Sequence, residues 1–237
     1  MGTYLAGTRH PWPTLLLLLP LMAAYELGVT FLAGAESEAH RNGADAWLRH
    51  ITAIRSPFII PGCVLGYWLL RSIWRWDERP PGIIGVVLGM IIESLIWALG
   101  LWALSRNFGV ILEGIGVTLD VTGDKPYAAT LQVLTYMGAG IYEEVIFRMV
   151  IFGGLAFLLR MAFLPGFIAV PIAMVASALL FAAAHHLGPY GEKLDPYVFL
   201  FRATAGMYFS LLYHFRGFGV AVGAHAGYDV LVGLHVI

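Results

Sequence analysis

The amino-acid sequence predicts an all-α, polytopic membrane protein with about seven transmembrane helices. The 237-residue chain is 59% hydrophobic, and its mean hydropathy is +0.77. Only 12% of its residues are charged, whereas soluble domains carry roughly 25%. Several apolar runs also reach the ~20 residues that a bilayer-spanning helix needs. A water-soluble fold could not cover its surface with so few charges.

Seven apolar stretches, separated by short polar loops, are candidate membrane spans. The fourth is too long for one perpendicular crossing, so we expect it to be tilted, or broken near Gly138 and Gly140. Without an internal repeat or linker, the sequence predicts a single membrane domain over residues 1–237, with the candidate functional residues in the half 127–237. The predicted spans are Pro13–Ala33, Pro57–Leu70, Gly82–Ser105, Tyr127–Leu159, Gly166–Leu187, Pro196–Phe215 and Phe218–Val236.

The first span has two interpretations. Arg9 precedes its leucine run, and Ala33-Gly34-Ala35 resembles a signal-peptidase site, which is typical of a cleaved signal peptide. However, the apolar stretch Pro13–Ala33 is longer than the usual core of ~7–15 residues, and it contains Tyr25-Glu26. We therefore expect this segment to be retained as a membrane helix.

Charge and cysteine content exclude several classes of function. The net charge of −1 provides no basic field for nucleic acid, so no nucleic-acid partner is expected. The single cysteine, Cys63, excludes an internal disulfide and a cysteine-based metal cluster. Arginine and lysine divide almost evenly between the two sides of the predicted spans, so the positive-inside rule leaves the orientation open.

Ionisable residues concentrate in three of the last four spans, where each costs roughly 2.5–3.5 kcal/mol to insert. The first cluster is Tyr142-Glu143-Glu144-Val145-Ile146-Phe147-Arg148. Arg148 follows Glu144 by one helical turn, so these two side chains can pair. Glu143 points about 100° away around the helix, so it is not part of this pair and is available for a different role. The alternative interpretation is an interfacial ion pair at a helix end.

Two further clusters contain histidine. Phe181-Ala182-Ala183-Ala184-His185-His186 ends the fifth span, and its alanines let neighbouring helices approach closely. In His225-Ala226-Gly227-Tyr228-Asp229, the spacing places His225 and Asp229 on one helical face. Asp229 can then accept a hydrogen bond from His225 and fix its tautomer. Interfacial histidines and a structural His–Asp pair are the respective alternatives.

Together the clusters contain the groups that amide hydrolysis requires. Water attack on an amide needs a base, a group that positions the water, and a group that stabilises the oxyanion. Two carboxylates with an arginine, a histidine and a His–Asp pair supply candidates for all three roles. The candidate catalytic residues are Glu143, Glu144, Arg148, His185, His225 and Asp229.

The three motifs Glu143-Glu144-x-x-x-Arg148, Phe181-x-x-x-His185 and His225-x-x-x-Asp229 resemble, in this order, those of the CPBP family. This family comprises CAAX proteases and bacteriocin-processing enzymes, and it includes the type II CAAX prenyl endopeptidase. The resemblance covers residues 127–237. It implies a helical membrane protease whose polar cavity opens into the bilayer, with membrane proteins or lipid-anchored peptides as substrates.

The resemblance also implies a role for each candidate residue. Glu143 would be the general base that activates water, and His185 would help to orient that water. Arg148 and Glu144 would form a supporting ion pair. The remaining two residues, His225 and Asp229, would stabilise the oxyanion or support the group that stabilises it.

A second resemblance concerns the first half of the chain. Tyr25-Glu26-x-Gly28 and Arg41-Asn42-Gly43-Ala44-Asp45 are similar to bacterial CPBP members proposed to process C-terminal sorting signals, including the myxosortases. The compact length also favours a bacterial source, which makes prenylated CAAX substrates unexpected. The expected location is the bacterial inner (cytoplasmic) membrane.

One departure keeps other mechanisms open. The type II CAAX enzyme carries Asn where this chain has Asp229, and an ionised Asp cannot donate to an oxyanion. Asp229 would act through a protonated His225, or it would ligate a metal. A metal-dependent protease using the same residues is therefore one alternative, because zinc accepts these ligands, although His-Glu-x-x-His is absent. A non-enzymatic scaffold or a proton-coupled transporter is the second alternative, because buried Glu, His and Asp residues also occur in proton relays. Without a metal, no cofactor is expected.

Other ionisable residues in the predicted spans favour a structural role. Glu26 and Glu93 lie in apolar segments of the first half, and Arg202 lies in the sixth span. We expect the two carboxylates to pair with this arginine inside the bundle.

Overall fold

Every regular element of the computed structural model is helical within the residues that it describes, 2–32, 41–118, 129–187 and 191–233. Two π-helical segments interrupt the α-helices: Gly28–Leu32 continues α2, and Glu144–Phe152 joins α6 to α7. A 3₁₀ turn, Trp76–Glu78, lies between α4 and α5. The α-helices are α1 Gly2–Thr8, α2 Pro11–Leu27, α3 Gly43–Thr52, α4 Ile59–Trp74, α5 Ile83–Gly114, α6 Ala129–Glu143, α7 Gly153–Met161, α8 Gly166–Ala184, α9 Pro196–Arg216 and α10 Phe218–Gly233.

The helices identify an integral membrane protein. Three of them are long and apolar enough to cross a membrane: Pro11–Phe31, Ile83–Gly114 and Gly166–Ala184. Two shorter helices, α4 and α10, are also apolar. Helical structure occupies most of the described part of each of the seven predicted spans, so the all-α fold is confirmed. The number of helices that cross the bilayer stays a prediction.

Some sequence predictions concern residues outside the described ranges. The proposed signal-peptidase site, Ala33-Gly34-Ala35, is one of them. Tyr127 and Val236, which bound the fourth and seventh predicted spans, are outside those ranges as well.

Helix α5 shows how the apolar composition is used. Its aliphatic side chains Ile84, Leu88, Ile92 and Ile96 are exposed along one face. The opposite face is buried, and its residues include Met90 and Ser94. A helix that is apolar on all sides and exposes such a face is suited to contact with lipid.

Helix α10 lies at the centre and packs against α2, α5, α6 and α9. Two glycines permit close approaches between these helices. A Cβ atom on Gly140 of α6 would lie 2.6 Å from the backbone nitrogen of Ala226 in α10, and one on Gly223 would lie 2.5 Å from Oγ of Ser94 in α5. Because α6 and α10 meet backbone to backbone, the segments that follow Gly140 and surround Ala226 lie side by side.

The expected break of the fourth span near Gly138 and Gly140 is wrong. Helix α6 runs through both glycines, which instead leave room for neighbouring groups, Tyr25 in the case of Gly138. The irregularity occurs further along, where Glu144–Phe152 is π-helical. π-Helical turns are rare and often mark functional sites. Here the turn carries Glu144 and Arg148.

The expected pairing of Glu26 and Glu93 with Arg202 is also wrong. Arg216 pairs with Glu93, and the distance from Nη2 to Oε2 is 2.7 Å. Arg202 pairs with Glu192, with 2.8 Å between Nη1 and Oε2. Glu26 belongs to a separate buried cluster near α3. Apolar periodicity does not reveal which helix faces meet, so the sequence offered no means of choosing these partners.

Candidate active site

Three helical segments bring the six predicted residues to one place. The junction of α6 with its π-helical continuation supplies the first motif, the C-terminal end of α8 supplies the second, and α10 supplies the third. Helix α10 packs against α6 and the π-helical turn, and α8 packs against the same turn. The residues brought together are Glu143, Glu144, Arg148, His185, His225 and Asp229.

Glu144 is the buried centre of the arrangement. Its Oε1 atom lies 3.0 Å from Nη1 of Arg148, and both side chains are fully buried. The same oxygen lies 2.8 Å from Nδ1 of His225. Arg148 also donates from Nη2 to the carbonyl oxygen of Gly206 at 3.2 Å. One carboxylate oxygen therefore links an arginine of the π-helical turn to a histidine of α10.

Glu143 faces the more open side of this centre. Its Oε2 atom lies 3.9 Å from Nε2 of His185 and 3.7 Å from Nε2 of His225. These separations are longer than direct hydrogen bonds, and they suit bridging by one water molecule. Its other oxygen, Oε1, accepts a hydrogen bond from Nδ2 of Asn42 at 3.3 Å. The two oxygens of Glu143 thus have different neighbours.

His185 follows the last residue of α8 and is held by its own helix. Its Nδ1 atom lies 2.8 Å from the carbonyl oxygen of Phe181, one turn earlier. A carbonyl can only accept, so Nδ1 carries the proton. In the neutral ring, Nε2 is then an acceptor that faces Glu143.

His225 is oriented by a different residue from the one expected. Asp229 Oδ2 lies 3.5 Å from Nε2 of His225, which is longer than a good hydrogen bond. Glu144 holds the opposite ring nitrogen, Nδ1, at 2.8 Å. The prediction that Asp229 fixes the tautomer is wrong, because Glu144 makes the short contact. Asp229 instead places a carboxylate beside the ring atom that faces Glu143.

Residues 125–231 match the family model described as type II CAAX prenyl endopeptidase Rce1-like. This chain carries an Rce1-like domain. No curated protein and no solved structure matches it. The Rce1-like domain contains all six candidate residues, and it implies a protease with protein substrates. The resemblance to the CPBP family is thereby confirmed, while the narrower one to the myxosortases stays a prediction.

Two aromatic side chains support the polar groups of the Rce1-like domain. The guanidinium carbon of Arg148 lies 4.5 Å from the ring centroid of Phe181 and 5.3 Å from that of Phe209. Phe209 also stacks on His225, with 4.3 Å between centroids and 16° between ring planes. Such cation–π contacts contribute about 2 kcal/mol or more when they are desolvated. The aromatic rings therefore stabilise the arginine where water does not reach it.

Sequence reasoning missed two residues that contact the candidate catalytic groups, Phe209 and Asn42. Phe209 is one of several phenylalanines in α9, and no signal in the sequence distinguishes it. Asn42 lies outside the Rce1-like domain, about 100 residues before Glu143. Only the second resemblance, through Arg41-Asn42-Gly43-Ala44-Asp45, drew attention to its segment.

The carboxylates and imidazoles also bear on metal binding. Within the ranges that the structure describes, no group of three or more His, Cys, Asp or Glu side chains is arranged to hold a metal ion. The polar atoms of Glu143, His185, His225 and Asp229 face one another across 3.5–3.9 Å.

Proposed function

We propose that this protein is an intramembrane endopeptidase that hydrolyses peptide bonds in membrane proteins or lipid-anchored peptides, using water activated by Glu143. The observation that carries this proposal is the position of Glu143 Oε2, 3.9 Å from Nε2 of His185 and 3.7 Å from Nε2 of His225. A water molecule between these groups would contact a base and two imidazoles at once.

Each hydrogen of that water has an acceptor. The water donates one hydrogen bond to Oε2 of Glu143 and a second to the unprotonated Nε2 of His185. As the water oxygen attacks the scissile carbonyl carbon, Glu143 takes its proton and the carbonyl becomes an oxyanion. As the tetrahedral intermediate collapses, Glu143 passes this proton to the nitrogen of the leaving amine while the C–N bond breaks, which restores the carboxylate.

His225 is the candidate donor to the oxyanion. Its Nδ1–H is directed at Glu144, so an N–H on Nε2 requires the imidazolium form. The carboxylates of Glu144, Glu143 and Asp229 lie 2.8, 3.7 and 3.5 Å from this ring, and their negative charge stabilises the cation. Asp229 therefore supports the oxyanion through His225 rather than by donating a bond itself.

The bilayer is part of the proposed mechanism. We infer about seven transmembrane crossings in a single membrane domain over residues 1–237, with the catalytic half at 127–237. The proposed location is the bacterial inner membrane. Exclusion of bulk water strengthens the electrostatic interactions at the site. An acid–base pair can then act on an amide without competition from solvent.

The proposal is tested by replacing the base without changing its shape. Purified wild-type protein, Glu143→Gln and the exposed control Glu113→Gln are placed in liposomes with detergent-extracted bacterial membrane proteins. New protein termini are then labelled and counted by mass spectrometry. We expect Glu143→Gln to form them about 10²–10⁴-fold more slowly, and Glu113→Gln to match the wild type. Equal formation by wild type and Glu143→Gln would contradict the proposal.

A further inference from the structure

A residue outside the Rce1-like domain contacts the proposed base directly. Nδ2 of Asn42 donates to Oε1 of Glu143 at 3.3 Å, and both residues are buried. Asn42 directly precedes helix α3, Gly43–Thr52, which packs against α6. The matched domain covers only residues 125–231. The first half of the chain thus contributes a side chain to the site that the second half forms.

The orientation of the Asn42 amide is fixed by its role at the helix end. Its Oδ1 atom accepts a hydrogen bond from the backbone N–H of Ala44 at 2.8 Å, which caps the N-terminus of α3. Its backbone N–H donates to the hydroxyl of Tyr25 at 2.9 Å. Because the cap requires the amide oxygen, the NH₂ group has to face the other way. That direction leads to Glu143.

A buried network holds the start of α3 in place. Asp45 accepts from Arg41 at 2.7 Å, from Arg49 at 2.7 Å and from the hydroxyl of Tyr25 at 2.9 Å. Asp45 supplies one negative charge to the two arginines. Glu26, which lies 3.3 Å from Nη1 of Arg41, supplies the second. Buried charges that are paired in this way are strongly fixed, because breaking one pair leaves an uncompensated charge.

The same network reaches the residue next to the proposed base. The hydroxyl of Tyr142 donates to Glu26, and the ring of Tyr142 contacts that of Tyr25, with 5.6 Å between centroids. Tyr142 immediately precedes Glu143 in α6. The position of Asn42 and the position of the Glu143 backbone are therefore set by one set of buried contacts.

We infer that Asn42 is a positioning residue for Glu143, an inference that rests on the function proposed above. A carboxylate has two equivalent oxygens and can rotate about its last bond. The amide of Asn42 holds Oε1, which leaves Oε2 directed at His185 and His225. The reacting oxygen is thus selected before substrate binds, and preorganisation of this kind lowers the barrier to the chemical step.

Two substitutions separate this contact from the helix cap. Asn42→Ser and Asn42→Asp both retain a side-chain oxygen that caps α3 well. Neither retains an N–H that can donate to Glu143: serine is too short, and an ionised aspartate only accepts. Asn107→Ser, at an exposed position of α5, is the matched control. Equal melting temperatures of the purified variants check that the cap and the fold are intact.

The decisive measurement uses the protein termini that wild type forms and Glu143→Gln does not. The rate at which these Glu143-dependent termini form is measured first, and steady-state kinetics are then measured on one purified substrate protein that contains the corresponding cleavage site. We expect Asn42→Ser to lower kcat about 10–10²-fold with KM nearly unchanged, because misplacement of the base affects the transition state and not substrate binding. Asn42→Asp should be slower still, since it places a second carboxylate beside the first. Asn107→Ser should match the wild type.

The outcomes distinguish this inference from the proposed function. Wild-type kcat in both folded Asn42 variants, alongside an inactive Glu143→Gln, would overturn the positioning role and leave the protease proposal standing. A rise in KM with unchanged kcat would also overturn it, because that result assigns Asn42 to substrate binding. If no termini depend on Glu143 at all, the proposed function fails and the positioning role falls with it.

Discussion

Oε1 of Glu144 lies 2.8 Å from Nδ1 of His225, although the two residues are 81 positions apart in the chain. The same oxygen lies 3.0 Å from Nη1 of Arg148. One buried carboxylate therefore neutralises an arginine and orients an imidazole. This shared contact explains why a motif in the π-helical turn and a motif in α10 have to act together.

The first prediction concerns the buried pair of Glu144 and Arg148. Replacing one partner leaves the other as an unpaired buried charge, which costs about 3–5 kcal/mol. Glu144→Gln and Arg148→Met should each lower the melting temperature of the purified protein markedly. The double variant should be less destabilised than the sum of the two, because it contains no unpaired charge. Strictly additive changes would show that the pair is not coupled.

The second prediction concerns Phe209, which contacts both Arg148 and His225. Phe209→Leu retains an apolar side chain but removes the aromatic face. We expect a loss of roughly 1–3 kcal/mol in stability from the lost cation–π and stacking contacts, together with slower proteolysis. The exposed Phe215 of the same helix provides the control Phe215→Leu. Similar behaviour of the two variants would argue against a supporting role for Phe209.

The third prediction concerns a close backbone contact between two helices beside the site. An added Cβ on Gly140 would lie 2.6 Å from the backbone nitrogen of Ala226, next to His225. Backbone cannot move aside as a flexible side chain can, so Gly140→Ala should separate α6 from α10 and cost roughly 1–3 kcal/mol. Gly154→Ala, where a Cβ meets nothing within 4 Å, should be neutral or slightly stabilising. Thermal unfolding of the two purified variants checks this contrast.

The sequence predicted the fold class because a bilayer imposes a simple rule. An apolar run of sufficient length has to form a helix in which every backbone polar group is paired. The helices α2, α5 and α8 follow from that rule. The π-helical segment Glu144–Phe152 does not, because the rule requires a helix but does not distinguish a π-helix from an α-helix.

The candidate residues were predictable for a related reason. Ionisable groups in an apolar helix are costly, so Glu143, Glu144 and Arg148 were conspicuous in the sequence. Two residues that contact them, Asn42 and Phe209, were not. Asn42 is an uncharged residue at a helix start, and Phe209 is one apolar residue among many, so neither departs from its local composition. Contacts between distant segments, such as Glu144 with His225, require knowledge of which helix faces meet.

The last prediction concerns Asp229 and metal. Asp229 Oδ2 lies 3.5 Å from Nε2 of His225, and its side chain is 21% exposed, more than that of any other acid at the site. If this carboxylate acts only by stabilising the His225 cation, an amide at the same position can replace it by donating directly to the oxyanion. We therefore expect Asp229→Asn to retain substantial activity.

A metal-dependent mechanism predicts the opposite result, because Asn is a poorer zinc ligand than Asp. Purified wild-type protein and Asp229→Asn are assayed for Glu143-dependent termini before and after exhaustive treatment with a strong chelator, with elemental analysis of both. We expect activity to persist in both samples and the metal content to be well below one ion per chain. One zinc per chain, with activity that is lost on chelation and restored by zinc, would establish the metalloprotease instead. In that case His185, His225 and Asp229 would be ligands, and Glu143 would act on a zinc-bound water.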